Sequence, residues 1–205
     1  TNLSYLDIST NMIKDISALE ALNNLRELHI SENKINDVSP LRNLDILETL
    51  NLARNEIWDI SPLADCLQLK TLALGHIPPS GRWFRTADIP GTSNQVNDLT
   101  PLASLTGLEE LNLNANEITD LSPLVELENL KILFLSTNLI SDVSPLGSLV
   151  NLMVLDLRAN EISDLSPLLG CTGLTDLSVM MGNPLNEKSI SVIEELKDRD
   201  VIVMR

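Results

Sequence analysis

One phrase returns along this chain at a fixed interval, and that interval leaves few folds open to it. Asn33 to Leu41 reads Asn-Lys-Ile-Asn-Asp-Val-Ser-Pro-Leu, and its counterparts run from Asn55 to Leu63, Asn116 to Leu124, Asn138 to Leu146 and Asn160 to Leu168. Asparagines at 33 and 55, and at 116, 138 and 160, stand 22 residues apart. A period of this size marks a stacked solenoid, in which each unit buries its apolar side only against its neighbours. Such a molecule works through an extended surface, so positions that depart from the repeat are the ones to examine.

Aligned on the asparagine, eight units start near Leu3, Leu25, Leu47, Leu69, Leu108, Leu130, Leu152 and Leu174. Each opens Leu-x-x-Leu-x-Leu or a close variant, as in Leu47, Leu50 and Leu52. The last two apolar positions alternate with period two, which predicts a short strand with its apolar side chains inward. Strands stacked at about 4.8 Å make a parallel sheet about 35 Å from first to eighth. Asn11, Asn33, Asn55, Asn94, Asn116, Asn138 and Asn160 follow the strands, where the chain turns away and leaves backbone groups unpaired. A short amide can bond them from inside the turn and stack on the next asparagine. Next come Ser39-Pro40, Ser61-Pro62, Thr100-Pro101, Ser122-Pro123, Ser144-Pro145 and Ser166-Pro167. Ser or Thr before Pro reads as an N-cap with proline at the first helical position, opening one 3-10 turn on the outer side. Asp15, Asp37, Asp59, Asp98, Asp120, Asp142 and Asp164 favour those turn starts. They stand in line, one per unit, rather than in clusters that would hold cations.

Leu47 to Leu63 as a whole resembles the repeats of bacterial internalins and internalin-like surface proteins, which are leucine-rich repeat proteins of the 22-residue class. The phosphatase-regulating leucine-rich repeat proteins of eukaryotes share the unit length but not usually the Ser-Pro step. The resemblance implies an α/β solenoid, a leucine-rich repeat arc. A parallel β-sheet lines the concave side, short 3-10 turns lie on the convex side, and a helix–strand cap closes the C-terminus. It covers nearly all of 1–181, an array of eight units, with 182–205 as cap. Family members bind many unrelated partners through the concave face, so no individual binding residue carries over.

With 205 residues and 43% hydrophobic content the chain can bury a large core. Aromatics are only 2%, leaving Leu, Ile and Val to build it. A formal charge of −15 argues against nucleic acid or an anionic membrane surface as partner, since both need clustered Lys and Arg. No apolar run suits membrane insertion. Cys66 and Cys171 follow Pro62 and Pro167 by four residues, in slots that hold Leu44, Leu105, Leu127 and Leu149 elsewhere. They read as small buried hydrophobes, too far apart along the stack for a disulfide.

The pattern breaks after Leu74. The asparagine due at position 77 (55 + 22) stands at 94, so 17 residues (94 − 77) enter the fourth unit, as an inserted loop at about 75–93. The loop carries Arg82-Trp83-Phe84-Arg85, an outlier in so acidic and aromatic-poor a chain. Trp83 and Phe84 either pin the loop on its own scaffold, with Trp58 as docking partner, or, with Arg85, overhang the face to touch a partner. A second departure lies on the open face of the sheet. Early units place mainly polar residues there: Tyr5, Asp7, Glu27, His29, Ser31, Thr49 and Asn51. Later units place Ile132, Phe134, Val154 and Met180, with Lys131, Asp156, Arg158 and Asp176 around them. Ile132, Phe134 and Val154 adjoin on neighbouring strands, and apolar groups rimmed by charge make a contact patch.

His29 lies between Asp7 and Asn51 in one column, too poor a ligand set for a metal. No nucleophile–base pairing or phosphate loop is present, so an enzyme is not expected, nor any cofactor. At the C-terminal end Asn186 can cap a helix to about Asp198 with Ile190, Ile193 and Leu196 inward, and Val201 to Met204 reads as a closing strand. At the other end Leu3, Leu6 and Ile8 lack a preceding neighbour, which suggests that further units precede them. With a cap there, the chain is expected to be a monomer. The expected function is a protein-binding module of a larger bacterial surface or secreted protein, lying outside the cell or on its surface. The alternatives are an intracellular scaffold that regulates an enzyme such as a phosphatase, and the recognition arm of a larger enzyme.

Overall fold

A computed structural model of the protein describes residues 2–76 and 93–204. Each unit contributes one three-residue strand: β1 (Tyr5–Asp7), β2 (Glu27–His29), β3 (Thr49–Asn51), β4 (Thr71–Ala73), β5 (Glu110–Asn112), β6 (Ile132–Phe134), β7 (Val154–Asp156) and β8 (Asp176–Ser178). A helix, α1 (Glu187–Asp198), and a ninth strand, β9 (Ile202–Met204), follow. The described strands form one parallel sheet in chain order from β1 to β9. Pairing is in strict register, so that Leu6, Leu28, Leu50, Leu72, Leu111, Leu133, Leu155, Leu177 and Val203 make a single inward column. From Leu28 to Leu177 that column is buried, and it joins the Leu, Ile and Val of the other inward positions in one continuous core. A slip of one residue would turn every one of these side chains to the open face, which is what fixes the register.

The asparagines hold the bends by bonding backbone groups from inside the turn, as expected. Asn138 Oδ1 accepts the Ile118 N–H of the preceding unit at 3.1 Å, and its Nδ2 donates to Leu113 O and Leu135 O, both at 3.0 Å. Asn33, Asn55, Asn94 and Asn160 make the same set, so each rung is an amide bridging two backbones. Each such amide spends its two ends on main-chain groups 20 and 25 residues back, which ties one unit to the one before it. Asn11, without a preceding unit among the described residues, bonds only to Ile8 O and Ser9 O of its own turn and stays exposed. Just before the asparagine the chain enters the left-handed region, at Thr10, Glu32, Arg54, Ala115, Thr137 and Ala159. None of these is glycine, so the rung bonds hold backbone that L-residues disfavour by about 1–2 kcal/mol each.

The convex turns differ from expectation in one detail. They run Ser17–Ala21, Ser39–Leu41, Ser61–Asp65, Thr100–Leu102, Ser122–Leu124, Ser144–Ser148 and Ser166–Gly170, all 3-10. The Ser or Thr is the first residue of the turn rather than its side-chain cap. Its N–H is accepted at 2.8 Å by the carboxylate two residues earlier, in pairs such as Asp37–Ser39 and Asp142–Ser144. Proline at the second position has no N–H to offer, so this donor is the one that needs a partner. The bond holds the Asp15, Asp37 and Asp120 carboxyls below the usual range. At Asp164 the Ser166 hydroxyl does most of this, ahead of the backbone bond.

At the C-terminal end Asn186 caps α1 by accepting the Ser189 N–H at 2.9 Å. The inward face is Ser189, Val192, Ile193 and Leu196, whereas Ile190, expected inside, is 49% exposed. Polar Ser189 takes the slot because the array ends in open backbone there. Its hydroxyl donates to Ser163 O at 2.7 Å and accepts Leu165 N–H at 2.9 Å. The last rung also escaped the repeat. Asn183, 23 residues after Asn160 (183 − 160), accepts the Ile162 N–H and donates to Leu157 O and Val179 O. The extra residue enters between Ser178 and Gly182, and Gly182, at φ +77, holds the left-handed position that Ala159 holds one unit earlier; a Cβ there would stand 2.8 Å from Ala159 Cα.

Candidate protein-binding face

The strand register lays out the open face as columns running across the sheet. One column is Tyr5, Glu27, Thr49, Thr71, Glu110, Ile132, Val154, Asp176 and Ile202. The next is Asp7, His29, Asn51, Ala73, Asn112, Phe134, Asp156, Ser178 and Met204. Several polar members of the second column are already occupied. Asp7, Asn51, Asn112 and Asp156 each accept the N–H two residues on, at 2.9–3.1 Å, where the strand has ended and the ladder no longer does so. They close strand ends and are not spare recognition groups. At Asp7 that backbone bond is the main cause of a lowered carboxyl pKa.

Along the entry side of the strands runs a ladder of alternating charge. Glu48 bridges Arg26 at 2.6 Å and Lys70 at 2.7 Å, and Glu109 pairs with Lys131 at 2.6 Å. The Lys70 and Lys131 ammoniums hydrogen-bond these carboxylates and pull them below their usual range. All these side chains are about a third or more exposed, so water screens the ladder and it chiefly sets which charges a partner meets.

Ile132, Phe134 and Val154 come together as the strand pattern predicts, with Ile132 opposite Val154 and all three half-buried. Phe134, Val154, Leu155, Asp156, Asp176, Ser178 and Met204 line a shallow recess of about 110 Å³. Met204 and the neighbouring Ile202, 60% exposed, extend the apolar surface onto the cap strand. Sequence reasoning missed both, having read the last strand only as a closure. The signal was there in the alternation: Val203 inward puts Ile202 and Met204 outward.

Two expected contact residues need correction. Asp156 and Arg158 are not an open charged rim. Arg158 grips Asp156 through Nε at 2.9 Å and through a terminal nitrogen at 2.5 Å, and their side chains are 13% and 9% exposed respectively. Two residues apart across the end of β7, they reach one another more readily than any partner. Met180 lies partly buried against the core, to the same class of exposure as Ile132, Phe134 and Val154. Trp83, Phe84 and Arg85 lie outside the described residues, as does their docking on Trp58, which is 64% exposed. What the structure does show is the root of the insertion. The His76 carbonyl accepts from the Asn112 and Asn114 amides at 3.4 Å each, and any Cβ on Gly75 would lie 2.1 Å from Asn114 N.

His29 sits beside Tyr5, ring centroids 5.7 Å apart, and contacts Glu27 at 2.8 Å. Burial, followed by the charge of Arg54, lowers the pKa of His76. Cys66 and Cys171 are free and buried, each beside a carbonyl of the preceding unit, and burial pushes both thiols up to about 11. Among the described residues no three His, Cys, Asp or Glu are placed to hold a metal ion, and no helix is long and apolar enough to cross a membrane.

Comparisons with known proteins agree with this geometry. A family model described as Leucine Rich repeats (2 copies) matches residues 1–43 and 108–148. Among solved structures, internalin C2 from Listeria monocytogenes is 32% identical with a TM-score of 0.80, covering 98% of this chain and 80% of that one. A second Listeria monocytogenes internalin, inlF, is 31% identical with a TM-score of 0.59. A leucine-rich repeat protein of Leptospira interrogans, 23% identical with a TM-score of 0.55, shares the fold. The chain covers 66% and 60% of the last two, less than two thirds of either. No curated protein matches the sequence. With its register, its asparagine rungs and these relatives, the chain belongs to the internalin-like leucine-rich repeat proteins.

Proposed function

We propose that the chain is a recognition module of a bacterial surface or secreted protein, binding another protein through the concave face of its sheet. In this reading 1–181 form the array and 182–205 its cap. One observation carries the proposal: a mainly polar face gains apolar side chains on three of its last four strands, where Phe134, Val154 and Met204 line a recess and Ile132 and Ile202 stand beside them in the register. Three strand intervals make that patch about 14 Å across. A standard interface takes about 800 Å² per partner, so the patch is the centre of a footprint whose rim reaches the polar columns of β4 and β5. The parallel ladder fixes these side chains before binding, which spares the complex much of the ordering cost. Internalin-like relatives support the surface or secreted setting.

The test is capture by immobilised protein. Wild type should recover a specific protein, and Phe134→Asp and Val154→Asp should each reduce recovery at least tenfold while urea unfolding stays close to wild type. Equal recovery by both variants would remove this patch from the contact surface.

A further inference from the structure

We infer that the recess at the cap end of the sheet receives one basic side chain of the partner. The lysine or arginine stem would lie on Val154, Phe134 and Met204, and its cation would meet the Asp176 carboxylate. This rests on the reading of the concave face as the contact surface and adds to it the chemistry of the group recognised.

Size narrows the occupant first. At about 110 Å³ the recess is well short of the 300–1,000 Å³ typical of small-molecule sites. It equals the liquid volume of about four waters, which suits one long side chain. Its floor comes from Phe134, Val154, Leu155 and Met204, and its polar lining from Asp156, Asp176 and Ser178. The charges there are unequal in status. Asp156 is held by the Arg158 side chain at two points and by its backbone N–H, which balances that pair. Asp176 has no cation among the described residues. Among the described residues its carboxylate receives only the Thr175 hydroxyl, at 2.8 Å, and no ion pair reaches it.

The charge ladder explains why. It alternates through Arg26, Glu48, Lys70, Glu109 and Lys131, then stops, because the next two positions are Met153 and Thr175. Lys131, the last cation of the ladder, is taken by Glu109 at 2.6 Å. The recess therefore joins an apolar floor to one uncompensated carboxylate. A neutral aliphatic side chain would fill the floor but strip water from that carboxylate without replacing it, and an acidic one would be repelled. A cation on an apolar stem satisfies both. The chain's charge of −15 draws such a group in from a distance.

The experiment is a titration of protein carrying 13C-labelled Val and Met methyls, followed by NMR, with four probes: the amides of Nα-acetyl-lysine, Nα-acetyl-arginine, Nα-acetyl-norleucine and Nα-acetyl-glutamate. The lysine or arginine amide should shift the Val154 and Met204 methyls saturably, at least threefold more tightly than the norleucine amide, with no saturable response to the glutamate amide. Asp176→Asn should bring the basic probes down to the norleucine value. Equal binding of lysine and norleucine amides, or unchanged lysine binding by Asp176→Asn, would overturn the charge assignment while leaving an apolar contact surface in place. No response to any probe would overturn the recess as a side-chain receptor, whereas the capture result with Phe134→Asp judges the contact face separately.

Discussion

Each ladder asparagine completes main-chain bonds that no strand can supply. Asn138 does so between Ile118 on one side and Leu113 and Leu135 on the other. Asn138→Ala leaves those groups buried and unpaired, and should cost about 1–3 kcal/mol by urea unfolding. Asn11→Ala should change stability by less than about 0.5 kcal/mol, since that side chain is exposed and bonds only within its own turn. The aspartates before the convex turns make stability depend on pH. Asp15, Asp37, Asp120 and Asp164 have carboxyl pKa values below the ordinary 3.8. A depressed folded-state pKa contributes stability that is present above the unfolded value and lost as pH falls through the folded one. The urea midpoint should therefore decline below about pH 4, and decline less in Asp37→Asn, which keeps the acceptor oxygen without the titration. The asparagines were legible in the sequence because one residue type fills the site in every unit. The left-handed position before them was not, because Thr, Glu, Arg and Ala all occupy it and only backbone geometry unites them.

Among the elements, the cap shows where pattern reading stops. Its bounds followed from Asn186 and from the charges at its ends, since capping and the helix dipole act through local sequence. Its inward face did not follow, because burial was assigned by apolarity and Ser189 is polar. That hydroxyl is buried by the two backbone groups it satisfies in the last turn of the array. Ser189→Ala should thus destabilise the protein by about 1–3 kcal/mol, more than the loss of one exposed hydroxyl, with α1 still formed by circular dichroism. If that substitution proved neutral, the cap would be held by Val192, Ile193 and Leu196 alone. The final rung was hidden for a related reason: one extra residue moved Asn183 out of the 22-residue frame, while Gly182 kept its geometry.

At the scale of the whole molecule, stacking in register turns a local sequence period into a surface with an address for every side chain. Ile132, Phe134 and Val154 were legible as neighbours because period two and the repeat length fix both face and strand. Ile202 and Met204 were missed because the cap strand carries no repeat phrase, yet it pairs with β8 in the same register. Asp156 and Arg158 were misread because sequence spacing does not show that two side chains flanking a strand end will close on each other. What remains is a mainly polar face with an apolar patch toward its cap end and, within that patch, an Asp176 carboxylate that no cation among the described residues pairs. The most direct test of that account is oxidative footprinting of the captured complex, which needs no substitution. Labelling of Phe134 and Met204 should fall several-fold on binding, while Met12 and Trp58, exposed away from the apolar columns, keep their free-state rates. Protection of Met12 and Trp58 with Phe134 and Met204 unchanged would place the partner on another side of the solenoid and contradict it.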